Sequence, residues 1–477
     1  MMPDLVNPKK THEKNVIQGK NRVKGMRKTA IYFVLALALA AYVYFYEIKG
    51  GEERQKEKEI SEKLFQVHKD SVQSIVIKSF LKTFRFEKTE DGWLIKEPVL
   101  TMADESPINT LLRSLTTTKK TRTIPVKPSE LKDYGLTQRA LTLIITTKSG
   151  ERDSVRLGDK TSIGGNVYAS RVDTMVYIIP QALKNNTGKS LFDWRDKKTI
   201  HFEKDKVRQL LLQSPEGRFN FVKEDNEWKL TEPIKTKAER SAVDGILNKL
   251  DFGRIKSVVS ETADKVSKYG LNRPAYRIEL FSGVEKAKSG VSFSLPKGNT
   301  VYGKDDVRPH IFTVDTLFLE PFKKDLFGFR DKKILDFERD RVTKLNLLYN
   351  DTLMTIEKDT SGTWRLSSGE KLKSWKINSL LSSLASLKAE KFVEENPPYL
   401  MPYGLVNPEG QIELFAEDDL MARLEIGKKK KDMIYARNPR RKQVVAIKKS
   451  KLKDIFPQKN EIVEEEKKNT KQEPEKS

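Results

Sequence analysis

The sequence predicts an α+β protein: three tandem repeats of a mainly antiparallel sheet with a covering helix, preceded by one N-terminal transmembrane helix. Three observations carry that prediction. Landmarks recur at a fixed interval, with Trp93, Trp228 and Trp364 standing 135 and 136 residues apart, and Tyr134-Gly135-Leu136 returning as Tyr269-Gly270-Leu271 and Tyr403-Gly404-Leu405. Within each interval, runs that alternate apolar and polar residues outnumber runs of helical period. Ahead of all of them, residues 31–46 read IYFVLALALAAYVYFY without a charge.

Taken in order, residues 1–28 hold eight Lys or Arg against two acids and read as a basic cytoplasmic segment. Residues 29–48 match the length a helix needs to cross the hydrocarbon layer. Tyrosines and a phenylalanine gather at the far end, and Arg27 and Lys28 mark the near one, which fits an uncleaved signal anchor better than a cleaved peptide. The charge bias puts the N-terminus in the cytoplasm and the bulk of the chain outside it. Alternating Glu and Lys over 49–65 predict a solvated, helical stalk.

The repeats are read as 66–200, 201–335 and 336–457. In the first, VQSIVIK at 72–78 and TFRFEK at 83–88 alternate as strands, and Asp91-Gly92 turns the chain into the Trp93 strand. Ser106-Pro107 then supplies an N-cap and first-turn proline for a helix whose Ile108, Leu111, Leu112 and Leu115 share one face. The same spacing recurs at Val243, Ile246, Leu247 and Leu250 behind Ser241, and at Ile377, Leu380, Leu381 and Leu384. Hairpin strands return at 140–158 and 166–180. Leu191 to Lys198, LFDWRDKK, is repeated at Leu326 to Lys333 as LFGFRDKK. A segment that closes one unit and opens the next reads as a junction, with Trp194 packed and Arg195 or Arg330 paired to a nearby acid. Trp93, Trp228 and Trp364 are expected to fill cores, and Gly135, Gly270 and Gly404 to permit a positive φ. Residues 458–477, rich in Glu, Lys and Gln, read as a disordered tail.

One N-terminal span followed by repeats of a tryptophan strand ending in Glu-Pro, a Tyr-Gly-Leu element and LFDWRDKK resembles the bacterial family of domain of unknown function 4340. The likeness runs from about residue 66 to 457 and is carried by Trp93, Pro98, Asp133 to Leu136 and Leu191 to Lys198, then by Trp228, Pro233, Lys268 to Leu271 and Leu326 to Lys333. The third unit departs: Trp364 lacks its Glu-Pro, Pro402 precedes Tyr403, and Asp454-Ile455-Phe456 stands where the closing segment is expected. The resemblance implies no established activity. Members are often encoded beside ABC-type transport components like those of gliding motility, which implies an accessory or scaffold role in a complex at the bacterial cytoplasmic (inner) membrane, with the bilayer and other proteins as partners.

The absence of cysteine excludes disulfides, zinc-thiolate sites, iron–sulfur clusters and cysteine nucleophiles. His12, His68, His201 and His310 have no metal-ligand spacing. Gly158-Asp159-Lys160-Thr161 and Gly188-Lys189-Ser190 both lack the first glycine of a phosphate loop. No catalytic, cofactor-binding or metal-binding residue is nominated, so the chain reads as a non-enzymatic protein without a cofactor; a hydrolase or transferase would need a polar cluster converging in one cleft. The net charge of +23 is concentrated. Residues 423–453 carry thirteen Lys or Arg against two acids, and Lys428, Lys429, Arg437, Arg440, Arg441 and Lys442 stand on turns between strands. These six are candidate contacts for an anionic lipid, an envelope polymer or an acidic partner, with a merely solvated hairpin the equal alternative. Nucleic acid is not expected, because the orientation puts them outside the cytoplasm.

Overall fold

The computed structural model describes residues 31–465; the predicted basic segment, the first two residues of the predicted span and residues 466–477 lie outside the described residues. The chain divides after Lys197 into two compact units. The first carries one antiparallel sheet and the second carries two.

The first sheet is built from β1 (Val72–Lys78), β2 (Thr83–Thr89), β3 (Gly92–Glu97), β4 (Thr101–Met102), β5 (Arg122–Pro125), β6 (Leu141–Thr147), β7 (Arg152–Lys160), β8 (Asn166–Ser170) and β9 (Met175–Pro180). Its order is β4-β3-β2-β1-β6-β7-β8-β9-β5, so two meanders meet at the β1–β6 pair. Helix α1 (Glu105–Thr117) leaves the β4 edge, and the chain re-enters the sheet at the opposite edge through β5. A helix on that path crosses the face of the sheet. Its stripe of Ile108, Leu111, Leu112 and Leu115 is buried against Ile75, Ile77, Phe86, Leu143, Ile145 and Val155. Each such side chain contributes about 1.5–3 kcal/mol by leaving water. Asp104 caps α1, accepting from the Ser106 N–H at 2.9 Å, so the cap lies two residues ahead of the predicted Ser106. Both residue types cap well, and only the geometry chooses between them.

The second sheet repeats the plan with β10 (Val207–Ser214), β11 (Gly217–Glu224), β12 (Glu227–Glu232), β13 (Thr236–Lys237), α2 (Arg240–Phe252), β14 (Ser257–Ser260), β15 (Tyr276–Ser282), β16 (Ala287–Phe293), β17 (Thr300–Asp305) and β18 (Ile311–Asp315). Helix α2 begins one residue before the predicted Ser241, after Glu239, which makes no side-chain cap. The third sheet contains β19 (Lys344–Tyr349), β20 (Thr352–Lys358), β21 (Trp364–Leu366), α3 (Ser374–Ala385), β22 (Lys391–Glu394), β23 (Gly410–Ala416), β24 (Asp419–Lys430), β25 (Met433–Arg437) and β26 (Val444–Lys448). Three antiparallel sheets, each with one buried helical stripe, are the α+β repeats that the sequence predicts.

The Tyr-Gly-Leu turns cover the other face of each sheet's far end. Leu131, Leu136 and Val176 form a small cluster there with Tyr134 and Tyr168. A tyrosine pair recurs: Tyr134 with Tyr168, Tyr269 with Tyr302 and Tyr403 with Tyr435, at 4.9, 5.0 and 5.1 Å between ring centroids. The glycines cap short helical turns at φ of 68°, 70° and 67°, a region where a Cβ is penalised.

Both ends of the repeat array differ from the sequence reading. Leu64 and Phe65, assigned to the stalk, are fully buried in the first core. Lys63 forms a β-bridge with Lys119, so the stalk helix ends at Glu62. At the other end, Lys459–Ile462 forms a helical turn and Ile462 is fully buried in the third core, inside the predicted tail. That turn, and not Asp454-Ile455-Phe456, closes the third repeat, because the helix Leu452–Ile455 takes the place of the one at Ala182–Thr187. Over the predicted span, α-helix runs through 31–42 and passes into a π-helix at Val43–Lys49. Among the described residues no helix is long and apolar enough to cross a membrane.

Candidate functional site

The recurrent charged side chains gather at the closing segments. In the second unit, Leu326–Phe329 is one helical turn started by Asp325, whose carboxylate accepts from the Gly328 N–H at 2.8 Å. Beyond it the backbone pairs on two sides. The Asp331 N–H donates to the Lys237 carbonyl at 2.9 Å, while the Ile334 N–H donates to Leu387 and the Lys332 carbonyl accepts from Ala389, at 3.1 and 2.8 Å. The first bond belongs to the second sheet's edge and the others to the chain following α3, so this segment joins the second repeat to the third.

Arg330 is the side chain at that joint, and it is 2% exposed. Its guanidinium carbon lies 3.3 Å from the centroid of the Phe392 ring. The fork donates to both carboxylate oxygens of Glu395, with Nη2 to Oε2 at 3.2 Å. A bidentate pair beside an aromatic face suits arginine and not lysine. Around it Lys388 pairs with Glu239 at 3.7 Å and Lys237 with Asp336 at 3.2 Å. A cation stacked and forked in this way has no open side for a ligand; it fixes one repeat on the next.

The three closing segments use one set of backbone bonds. Asp104 N–H donates to Trp194, Glu239 N–H to Phe329 and Lys373 N–H to Ile462, each at 2.8 Å. In the first unit Trp194 is fully buried against Phe86, with ring centroids 5.1 Å apart, and Arg195 is 1% exposed. Ser190 starts that turn, and hydrogen bonds from its hydroxyl and backbone hold the Asp193 carboxyl below the usual carboxylate range. The third segment carries Val463 where the others carry arginine. The tryptophans Trp93, Trp228 and Trp364 are 3–4% exposed and lie in the cores.

The basic stretch is less open than its net charge suggests. Arg440 donates to the carbonyls of Leu420 and Met421, at 2.5 and 2.7 Å, and Arg441 to the Lys333 carbonyl at 2.6 Å. Beside Arg441, Asn438 donates to the Ile334 carbonyl at 2.9 Å, so this loop clamps the junction strand. Arg437 lies 4.0 Å from Glu425, and Arg423 lies 3.5 Å from the same residue and 3.7 Å from Glu413. Lys429 sits over Tyr349 and 3.3 Å from Glu409, and these two partners raise its pKa, with Tyr349 the larger cause. Lys428, Lys430 and Lys431 are left at the surface around the β24–β25 turn, and Lys442 in the loop between β25 and β26. The six candidates therefore do not converge: the arginines hold backbone or carboxylate, Lys429 holds Glu409, and Lys428 and Lys442 stand at different ends of β25.

Among the described residues, no group of three or more His, Asp or Glu could hold a metal ion. His68, His201 and His310 stand on separate segments, and His12 lies outside the described residues.

The sequence model of the family described as Domain of unknown function (DUF4340) matches three times, over residues 93–229, 228–375 and 364–473. The chain belongs to this family. No curated protein matches it. Each DUF4340 match begins on the tryptophan strand, the third strand of its sheet; the first ends in the third strand of the next sheet and the second runs past it to the start of α3. The DUF4340 windows are thus out of phase with the folded repeats.

Glu395 and Phe392, the partners of Arg330, were not nominated from sequence. A signal for the glutamate existed, since Glu261 holds the same register one repeat earlier, 134 residues away. The acids that occupy the basic stretch, Glu409, Glu413 and Glu425, belong to β23, β24 and the turn before them, and no local pattern ties them to the later lysines and arginines.

Proposed function

We propose that this chain is a single-pass, membrane-anchored scaffold or accessory subunit, not an enzyme, whose repeats stand outside the cytoplasm and engage protein partners in a membrane complex of the ABC-type transport kind. The observation that carries the reading is the leading helix. Large apolar side chains from Ile31 to Tyr46 are 41–69% exposed, on every face, and none of them is buried by the described residues. A helix apolar all round calls for a bilayer or another protein around it. The charged helix Gly50–Glu62 then separates it from the first core. The recurring tryptophans and the closing-segment arginines support the scaffold role, because they fill cores and joints.

The test is membrane association of the full-length protein in bacterial cells. Wild type should stay in the membrane pellet after an alkaline carbonate wash, and a Leu37→Arg/Leu39→Arg variant should be released. External protease should digest the repeats in spheroplasts. Release of the wild type by carbonate would overturn the anchor, and full protection from protease would overturn the orientation.

A further inference from the structure

The three repeats differ at one equivalent place beside the Tyr-Gly-Leu turn. In the first, β7 runs on to Lys160 and the Asp159 carboxylate fills the space against Gly135, where an added Cβ would come within 2.4 Å of it. In the third, β24 runs on to Lys430 and the Lys428 backbone nitrogen lies 2.9 Å from a Cβ placed on Gly404. In the second, β16 stops at Phe293 and Ser294 takes that position, its Cβ 3.6 Å from one placed on Gly270. Pro296 follows and has no N–H for a ladder. The loop instead closes on itself through Lys297 and Thr300, leaving a cavity of about 520 Å³ between loop and turn. That volume is within the roughly 300–1,000 Å³ range of small-molecule sites.

The lining has one sign of charge. Lys268, Arg273 and Lys297 line it together with Tyr269, Tyr302 and Ser294, and no carboxylate does. Among the described residues none of the three cations forms an ion pair. Elsewhere on the same sheet cations find acids at once: Arg277 forks onto Asp306 at 2.5 and 2.6 Å, and Lys288 meets Glu279 at 2.7 Å. The tyrosine rings, 5.0 Å apart, with Leu295 and Pro296 add an apolar wall. Three uncompensated cations suit a group with more than one negative charge, and an arginine among them suits phosphate oxygens.

We propose that this cavity, present in the second repeat through the loss of strand continuity after Phe293, binds a phosphorylated small molecule, with the phosphate on Lys268, Arg273 and Lys297 and the organic part against the tyrosines. The proposal does not depend on the membrane anchor. It is tested by calorimetric titration of the full-length protein with inorganic pyrophosphate, glucose 6-phosphate and soluble dihexanoyl phosphatidic acid, with glucose and dihexanoyl phosphatidylcholine as neutral-headgroup controls. At least one phosphate probe binds, and which organic probe binds better assigns the source as free metabolite or lipid headgroup. Lys268→Gln/Arg273→Gln/Lys297→Gln weakens binding by about tenfold or more, because charge-assisted contacts are lost. Lys428→Gln/Lys430→Gln/Lys431→Gln on the β24–β25 hairpin leaves it unchanged. Ala275→Phe, which fills the cavity and removes no charge, also abolishes binding. Absence of binding by all three phosphate probes overturns the proposal, as does equal weakening by the hairpin substitutions, the signature of general electrostatic attraction.

Discussion

Replacing Arg330 separates the joint from the folds it connects. The side chain is 2% exposed, its guanidinium is stacked 3.3 Å from the Phe392 centroid, and its fork holds Glu395, whose side chain is 41% exposed. Breaking a buried ion pair from one side costs about 3–5 kcal/mol when the survivor is stranded without water. Glu395 keeps water access, so the lower end applies, and part of the loss belongs to the desolvated stack, worth about 1–2 kcal/mol. For Arg330→Met, which keeps most of the packing, the expected loss is about 2–3 kcal/mol in local stability. By tenfold per 1.36 kcal/mol this is roughly 30- to 150-fold faster amide exchange wherever the joint opens. Hydrogen-exchange mass spectrometry on the full chain would read it at the Ile334 and Ala389 amides, which bond across the joint. The β1–β6 pair in the first unit serves as the internal reference. A double-mutant cycle with Glu395→Gln should show coupling of about 1–2 kcal/mol. Unchanged exchange at the joint, or coupling below about 0.3 kcal/mol, would refute the assignment of Arg330 as its clamp.

Two further predictions concern the second and third repeats. Gly404→Ala should lower stability more than Gly270→Ala: both glycines have φ near +70°, but the new methyl meets the Lys428 backbone nitrogen at 2.9 Å in one and only the Ser294 Cβ at 3.6 Å in the other. The second change should cost about 1–2 kcal/mol from the backbone alone, and equal melting temperatures for the two variants would contradict the steric argument. Asp306 is held below the usual carboxylate range chiefly by its hydrogen bonds from Arg277, against opposing burial. Its depressed folded-state pKa means a stabilising contribution that is complete above the unfolded value of about 3.8–3.9 and is lost as pH falls through the folded one. Thermal unfolding of wild type and Asp306→Asn should therefore differ most at neutral pH and converge as pH falls through the depressed folded-state value; a gap that persists once the carboxyl is protonated would show another origin.

What the sequence made legible was whatever repeats within a few residues. The i, i+3, i+4, i+7 stripes of all three helices are the buried faces, and the strands at 72–78 and 83–88 lie where alternation put them. The Tyr-Gly-Leu glycines have the positive φ expected of them. Partnerships across long chain separations were not legible. Glu395 lies 65 residues from Arg330, and apart from its register match to Glu261 nothing distinguishes it from other surface glutamates. Counting charge over 423–453 found the basic stretch and missed that Arg440 and Arg441 reach backbone carbonyls 19 or more residues away. Phase was lost for a different reason. A periodic sequence fixes the length of its unit and leaves the cut arbitrary, so only packing showed that Leu64 and Phe65 open the first core and that Ile462 closes the third.

Comparison among the repeats separates residues that make the fold from residues that use it. A side chain kept in the same environment three times, such as the core tryptophans at 3–4% exposure, serves the sheet and helix common to every unit. A position that changes with its place in the array answers to that place. The closing segment carries Arg195 and Arg330 in the two repeats that another repeat follows, and Val463 in the last. Val463 is only partly buried, and it keeps the backbone bonds of the closing segment without placing a cation in the joint. The strand beside the Tyr-Gly-Leu turn follows a different rule: β7 and β24 run on past it, and β16 in the middle repeat stops at Phe293. That difference is confined to the middle one of the three, so the opening beside Tyr269 requires a cause that acts on the second repeat alone.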